Sequence, residues 1–149
     1  MAARYYITGE LPNMKKFAIT ILILCAASLT ALAAGIDGKW ISEREVGAAD
    51  GKTYIHTTTL TLKNEGGLLT GTIVQASAAP WMAETNGRSF DIKDGKVEGD
   101  KFSFKVTTEN KQGEKTAVYE GTVAGDRLKG VVKFRGIGQT WTLDAKRAN

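Results

Sequence analysis

Gly95-Lys96-Val97-Glu98-Gly99-Asp100-Lys101-Phe102 recurs 26 residues further on as Gly121-Thr122-Val123-Ala124-Gly125-Asp126-Arg127-Leu128. The second half returns once more: Gly66-Gly67-Leu68-Leu69-Thr70-Gly71 aligns with Gly125 to Gly130. A tight hairpin turn needs a residue at positive φ, and glycine adopts that conformation without steric cost. Each copy therefore reads as a turn between neighbouring antiparallel strands. Two strands in so short a repeat predict an up-and-down meander.

The residues around these turns alternate as half-buried strands do. Phe102, Phe104 and Val106 share one face, with Lys101, Ser103 and Lys105 on the other. Leu128, Val132 and Phe134 oppose Arg127, Lys129, Lys133 and Arg135. Trp141, Leu143 and Ala145 oppose Thr140, Thr142, Asp144 and Lys146. The same pattern predicts strands over 38–46, 53–63, 68–75, 89–97, 101–108, 115–123, 127–135 and 139–147, the fourth weakened by Asp94-Gly95. No stretch of residues 35–149 has a convincing helical period. Eight strands with one wet face leave exposed edges unless the sheet closes. The expected fold is all-β, an antiparallel up-and-down meander closed as an eight-stranded barrel, with a two-sheet β-sandwich as the alternative. The interior of such a barrel accommodates side chains or one small ligand.

Upstream lies a different kind of sequence. Met14-Lys15-Lys16 precedes an apolar run from Phe17 to Ala27, and Ser28 to Ala34 ends in Ala31-Leu32-Ala33. A basic start, an apolar stretch and an A-x-A exit make a secretory signal peptide. Cleavage is expected after Ala33 or Ala34, and Met14 is the expected start of translation, with a long polar leader as the alternative. The run from Phe17 to Ala34 has the length of a membrane anchor, but Thr20, Ser28 and Thr30 speak against one. Cys25 reads as a hydrophobe of the leader, because Leu24 stands where a lipoprotein signal places a small residue. Residues 1–34 are thus an upstream extension with a signal peptide, and 35–149 form one barrel domain. A secreted or periplasmic location follows, with no membrane contact after cleavage.

The whole chain has 149 residues and a formal net charge of +4, but 35–149 carry 17 Lys and Arg against 15 Asp and Glu, a net +2. No basic stripe with interleaved aromatics remains, so nucleic acid is not an expected partner. One cysteine and one histidine leave no disulfide framework and no two-His or multi-cysteine zinc site. No cofactor is expected. Glu43 and Glu45 lie two apart on the outward phase of the first strand and read as a solvated face, not as an acid–base pair sharing a cleft. No enzyme activity is expected.

Gly35-Ile36-Asp37-Gly38-Lys39-Trp40 resembles the opening G-x-W strand of the calycin barrels, the lipocalin and avidin group. In those proteins a basic residue at the end of the last strand covers the Trp. The resemblance gives that place to Arg147, which shares the phase of Trp141, Leu143 and Ala145. Leu69-Thr70-Gly71-Thr72 is similar to an avidin third strand, but Ile73 stands where avidins have a ligand-contacting Tyr, so biotin binding does not carry over. The lipocalin T-D-Y loop motif is missing, so lipid or pigment transport does not carry over either. The combination of G-K-W, repeated G-x-V-x-G-D and W-x-x-x-x-x-R also resembles small uncharacterised secreted bacterial proteins, a likeness that implies no activity.

Candidate binding residues follow from the inward phase. Trp40, Phe102, Phe104, Phe134 and Trp141 would line the interior. Arg44, in phase with Trp40 and Ser42, either points inward, where its guanidinium fork matches a carboxylate, or is exposed by a bend in the first strand. His56, in phase with Tyr54, Thr58, Leu60 and Leu62, is a ligand contact or a core histidine. Residues 76–88 form the longest loop, where Trp81 and Met82 act as a lid or plug the barrel end. Gly71, Gly121, Gly130, Ala117 and Ala145 either leave a cavity or let facing aromatics fill it. Two functions are expected from this pattern: a barrel holding a small apolar or amphipathic molecule inside, or a filled barrel acting as an envelope or surface interaction module. The first requires an interior cavity of about 300 Å³ or more.

Overall fold

A computed structural model describes residues 35–148 apart from 112 and 137. The leader expected over 1–34, with its start at Met14, its cleavage site and Cys25, lies outside the described residues. The described residues form eight strands: β1 (Gly38–Gly47), β2 (Thr53–Glu65), β3 (Leu68–Ser77), β4 (Ser89–Glu98), β5 (Lys101–Asn110), β6 (Gly113–Ala124), β7 (Arg127–Phe134) and β8 (Thr140–Arg147). Each pairs antiparallel with the next, and β1 returns to β8, so the meander closes as a barrel. The sandwich alternative is excluded. No helix among the described residues is long and apolar enough to cross a membrane.

The repeated motif does two separate jobs. Its second glycine makes the turn. Gly99-Asp100 and Gly125-Asp126 are the two-residue loops between Glu98 and Lys101 and between Ala124 and Arg127, with φ of 63° at Gly99 and 57° at Gly125. Glycine first and a negative-φ residue second suit a twist-compatible hairpin. Its first glycine lets strands approach. An ideal Cβ on Gly121 would overlap the carbonyl oxygen of Lys129, and one on Gly130 would overlap that of Glu120. Gly121 and Gly130 are directly paired, so β6 and β7 coil tightly where neither has a side chain. Beside Gly71, Gly121 and Gly130, where the expectation was either a cavity or facing aromatics, the Cβ position is taken by neighbouring backbone.

β4 is continuous through Asp94-Gly95, but its register with β5 shifts between Lys93 and Lys96, and Asp94 has a φ of 52°. The irregularity is a bulge that bends the strand without ending it.

Alternation places Trp40, Leu60, Leu62, Leu69, Ile73, Phe102, Phe104, Val106, Leu128, Val132, Leu143 and Ala145 in the core. Phe102, Phe104 and Tyr119 stack in series, with ring centres 6.0 and 4.7 Å apart. Aromatic rings bury large apolar areas, and full burial of one such side chain contributes roughly 1.5–3 kcal/mol. On the outer wall, Arg127–Asp144 and Lys133–Glu120 pair at 2.7 and 2.6 Å. These exposed pairs are worth about 0–1 kcal/mol each, and they offset part of the basic face formed by Arg127, Lys129, Lys133 and Arg135.

One end of the barrel is locked. The Trp40 indole N–H donates to the Ile36 carbonyl at 2.8 Å. The Arg147 guanidinium lies 4.1 Å from the centre of the Trp40 ring and donates to the carbonyls of Gly35 (2.7 Å) and Asp37. Ile36 is buried beneath this arrangement.

Candidate functional site

The opposite end of the barrel is less complete. β1 pairs with β2 over ten residues, but its recorded register with β8 covers only Trp40–Arg147 and Ile41–Lys146. From Ser42 to Gly47, β1 has no recorded partner on β8 among the described residues. A partly open cavity of about 20 Å³ lies where the strands part. That volume suits one water molecule.

Inward alternation supplies its walls from six strands, with Val132 contributed by β7. Ser42 and Arg44 come from β1, His56 and Thr58 from β2, Gln75 from β3, Tyr119 from β6, and Trp141 and Leu143 from β8. Thr142, which points to the outer side of β8 and is exposed, also lines the cavity.

The site is polar and cationic within an apolar barrel. The Arg44 guanidinium sits 3.7 Å from the centre of the Trp141 ring. It is half-buried, and among the described residues it has no hydrogen-bond or ion-pair partner. Burial pushes its pKa below the ordinary value, and Tyr119 acts the other way. His56 lies beside Arg44 across β1–β2 and packs its ring 6.4 Å from Trp141. It is 3% exposed, and its Nε2 has no hydrogen-bond partner. Burial and the Arg44 charge both hold the imidazole below its ordinary pKa of 6.5, so the ring is neutral at neutral pH. The Tyr119 hydroxyl meets the Gln75 side chain, and its pKa is pushed up by burial. Ser42 and Thr58 are both buried.

The structure divides the residues expected from sequence into three groups. Arg44, His56 and Trp141 come together at the cavity, with Phe134 packed 4.4 Å from Trp141. Trp40, Phe102 and Phe104 belong to the packed core nearer the locked end. Trp81 and Met82 lie on a short 3-10 turn, Pro80–Met82. Trp81 is 54% exposed and meets Tyr54 edge-on at 5.5 Å, so it does not plug the barrel. Neither Trp81 nor Met82 lines the cavity.

Gln75 and Tyr119 were absent from the expected set. Their strand phases point inward, with Ile73 in one case and Ala117 in the other, and that was the available signal. Among the described residues, no three His, Cys, Asp or Glu side chains gather as a metal site. Comparison with known proteins finds no matching family model, no similar curated protein and no similar solved structure.

Proposed function

We propose that the protein is an exported, filled β-barrel of the calycin type, acting as an envelope or surface interaction module through its open-seam end. The observation that carries this reading is the filled interior. Phe102, Phe104 and Tyr119 stack across it, and neighbouring backbone occupies the space beside the inward glycines. The cavity at the seam holds about 20 Å³, against about 300 Å³ for an ordinary small-molecule site. An apolar guest inside the barrel has correspondingly little support. The leader pattern over 14–34 supports export. Trp40 beneath Arg147, with Arg147 closing on Gly35 and Asp37, supports calycin kinship. Trp81, exposed beside Tyr54 on the loop after β3, supplies an apolar contact group. Glu43 and Glu45 are both exposed, as a solvated face requires.

The test is native mass spectrometry of the domain recovered from its host's envelope or medium, joined to photo-crosslinking in that host. A crosslinking residue replaces Trp81 in one variant and Lys101, at the locked end, in another. The expected result is a domain beginning at Ala34 or Gly35, without a retained molecule, and a discrete protein adduct at position 81 only. A stoichiometric apolar guest, or equal crosslinking from both positions, would overturn the reading.

A further inference from the structure

The seam cavity holds a charge with nothing to balance it. Arg44 is half-buried, stacked on Trp141 and unpartnered among the described residues. Partial removal from water costs a cation free energy unless an opposite charge or hydrogen bonds compensate. Beside it, the buried His56 Nε2 has no partner either. A neutral imidazole with its proton on Nε2 is a donor there. Ser42 and Thr58, both buried, line the same cavity. No Asp or Glu does. A cation, a buried ring nitrogen without a partner and two hydroxyl-bearing residues meet at a partly open volume that fits one oxygen atom.

We propose that this seam is a binding site for a carboxylate group. One carboxylate oxygen enters the cavity toward His56 Nε2, and the other remains at the opening against the Arg44 fork. The guanidinium offers several N–H donors in one plane, so a single carboxylate oxygen accepts a charge-assisted hydrogen bond from it while the second oxygen is free to reach the imidazole. A phosphate or sulfate suits the site less well: a dianion is met by a single cation. The carboxylate belongs either to a small free acid or to a partner polypeptide. The site requires neither an apolar interior guest nor a contact at Trp81, so it stands apart from the proposed interaction role.

His56 is the chain's only histidine, and its ring protons report directly on the cavity by NMR. The untagged domain is titrated with acetate, chloride and sulfate at constant ionic strength. The expected result is a saturable shift of the His56 ring and the Trp141 indole with acetate. Chloride and sulfate bind more weakly. Acetate also raises the His56 titration midpoint, because an anion near Nε2 favours the charged ring. Arg44→Gln weakens acetate binding on the order of tenfold or more, Arg44→Lys weakens it less, and Lys129→Gln on the outer wall leaves it unchanged.

A short peptide with a free C-terminus, set against its amidated form, separates the two sources. Tighter binding than acetate points to a polypeptide carboxylate, and equal or weaker binding to a free acid. If wild-type His56 does not respond saturably, or if chloride or sulfate matches acetate, the proposal is overturned. Those wild-type measurements decide the matter even if Arg44→Gln fails to fold. Failure of the crosslinking test at position 81 would leave this titration unaffected.

Discussion

Arg147 lies over the face of Trp40 while its guanidinium donates to the carbonyls of Gly35 and Asp37. One side chain thus joins the last strand to the start of the first through both a ring and a backbone. A cation over an aromatic face contributes about 0.5–2 kcal/mol, and hydrogen bonds from a charged donor add about 1.5–3 kcal/mol. Arg147→Gln is expected to lower the unfolding free energy by roughly 2–3 kcal/mol in urea denaturation. Arg147→Lys should recover less than half, because an ammonium lacks the planar fork. A loss below about 0.5 kcal/mol would show that solvent replaces these contacts without cost.

Gly121→Ala and Gly130→Ala each place a methyl group into a carbonyl of the adjoining strand. Forced overpacking of this kind costs typically 1–3 kcal/mol, and more where backbone must move. Gly47 sits at the exposed end of β1 with no neighbour close to its Cβ position. Gly47→Ala should change stability by less than about 0.5 kcal/mol. Equal effects at all three positions would remove close strand approach as the reason for the inner glycines.

His56 gives the barrel a pH dependence of known sign. Its folded pKa is depressed below 6.5 by burial, then by Arg44. Below that value the unfolded chain takes up a proton that the folded ring resists, so stability is full above pH 6.5 and falls as pH drops through 6 toward 5. Asp94, whose pKa is lowered from 3.8 mainly by its bond to Lys105, loses its contribution only below that range. The urea midpoint should therefore drop between pH 7 and pH 5, and His56→Gln should flatten the drop. A wild-type midpoint that is level or rising over this interval would contradict a buried neutral imidazole.

The three tryptophans differ in access to solvent. Trp40 is buried, Trp141 is partly covered by Arg44, and Trp81 is 54% exposed. Acrylamide should quench one fraction of the fluorescence readily, and Trp81→Phe should remove that fraction while changing stability by under about 0.5 kcal/mol. Survival of the readily quenched fraction in this variant would place the accessible indole elsewhere.

The meander could be read from the chain because its turns and faces are local properties. Gly99-Asp100 and Gly125-Asp126 mark hairpins by themselves, and alternation around Phe102–Phe104 or Trp141–Leu143 identifies the inner face. Even the interruption at Asp94-Gly95 was visible, although a bulge and a break look alike in one dimension. The site was less legible. Arg44 and His56 stood out as polar residues on inward phases, but Gln75 and Tyr119 join them through the pairing of strands distant in sequence. The seam depends on how far β8 follows β1, which no local pattern encodes. Trp81 was compatible both with plugging the barrel and with lying over it, because a loop carries no alternation to settle its direction.

The lock at Trp40 also sets an order of events. Gly35 and Arg147 are 112 residues apart, whereas every other strand pairing in the meander joins neighbours. Bringing distant segments together costs loop-closure entropy that local hairpins largely avoid. Hairpins from β2 to β7 can zip as the chain emerges, while β1 keeps an unsatisfied edge until β8 arrives. Ring closure joins the segments farthest apart in sequence and so carries the largest loop-closure cost in the meander. A chain truncated before Arg147 would be left with most of its hairpins and an open, association-prone strand.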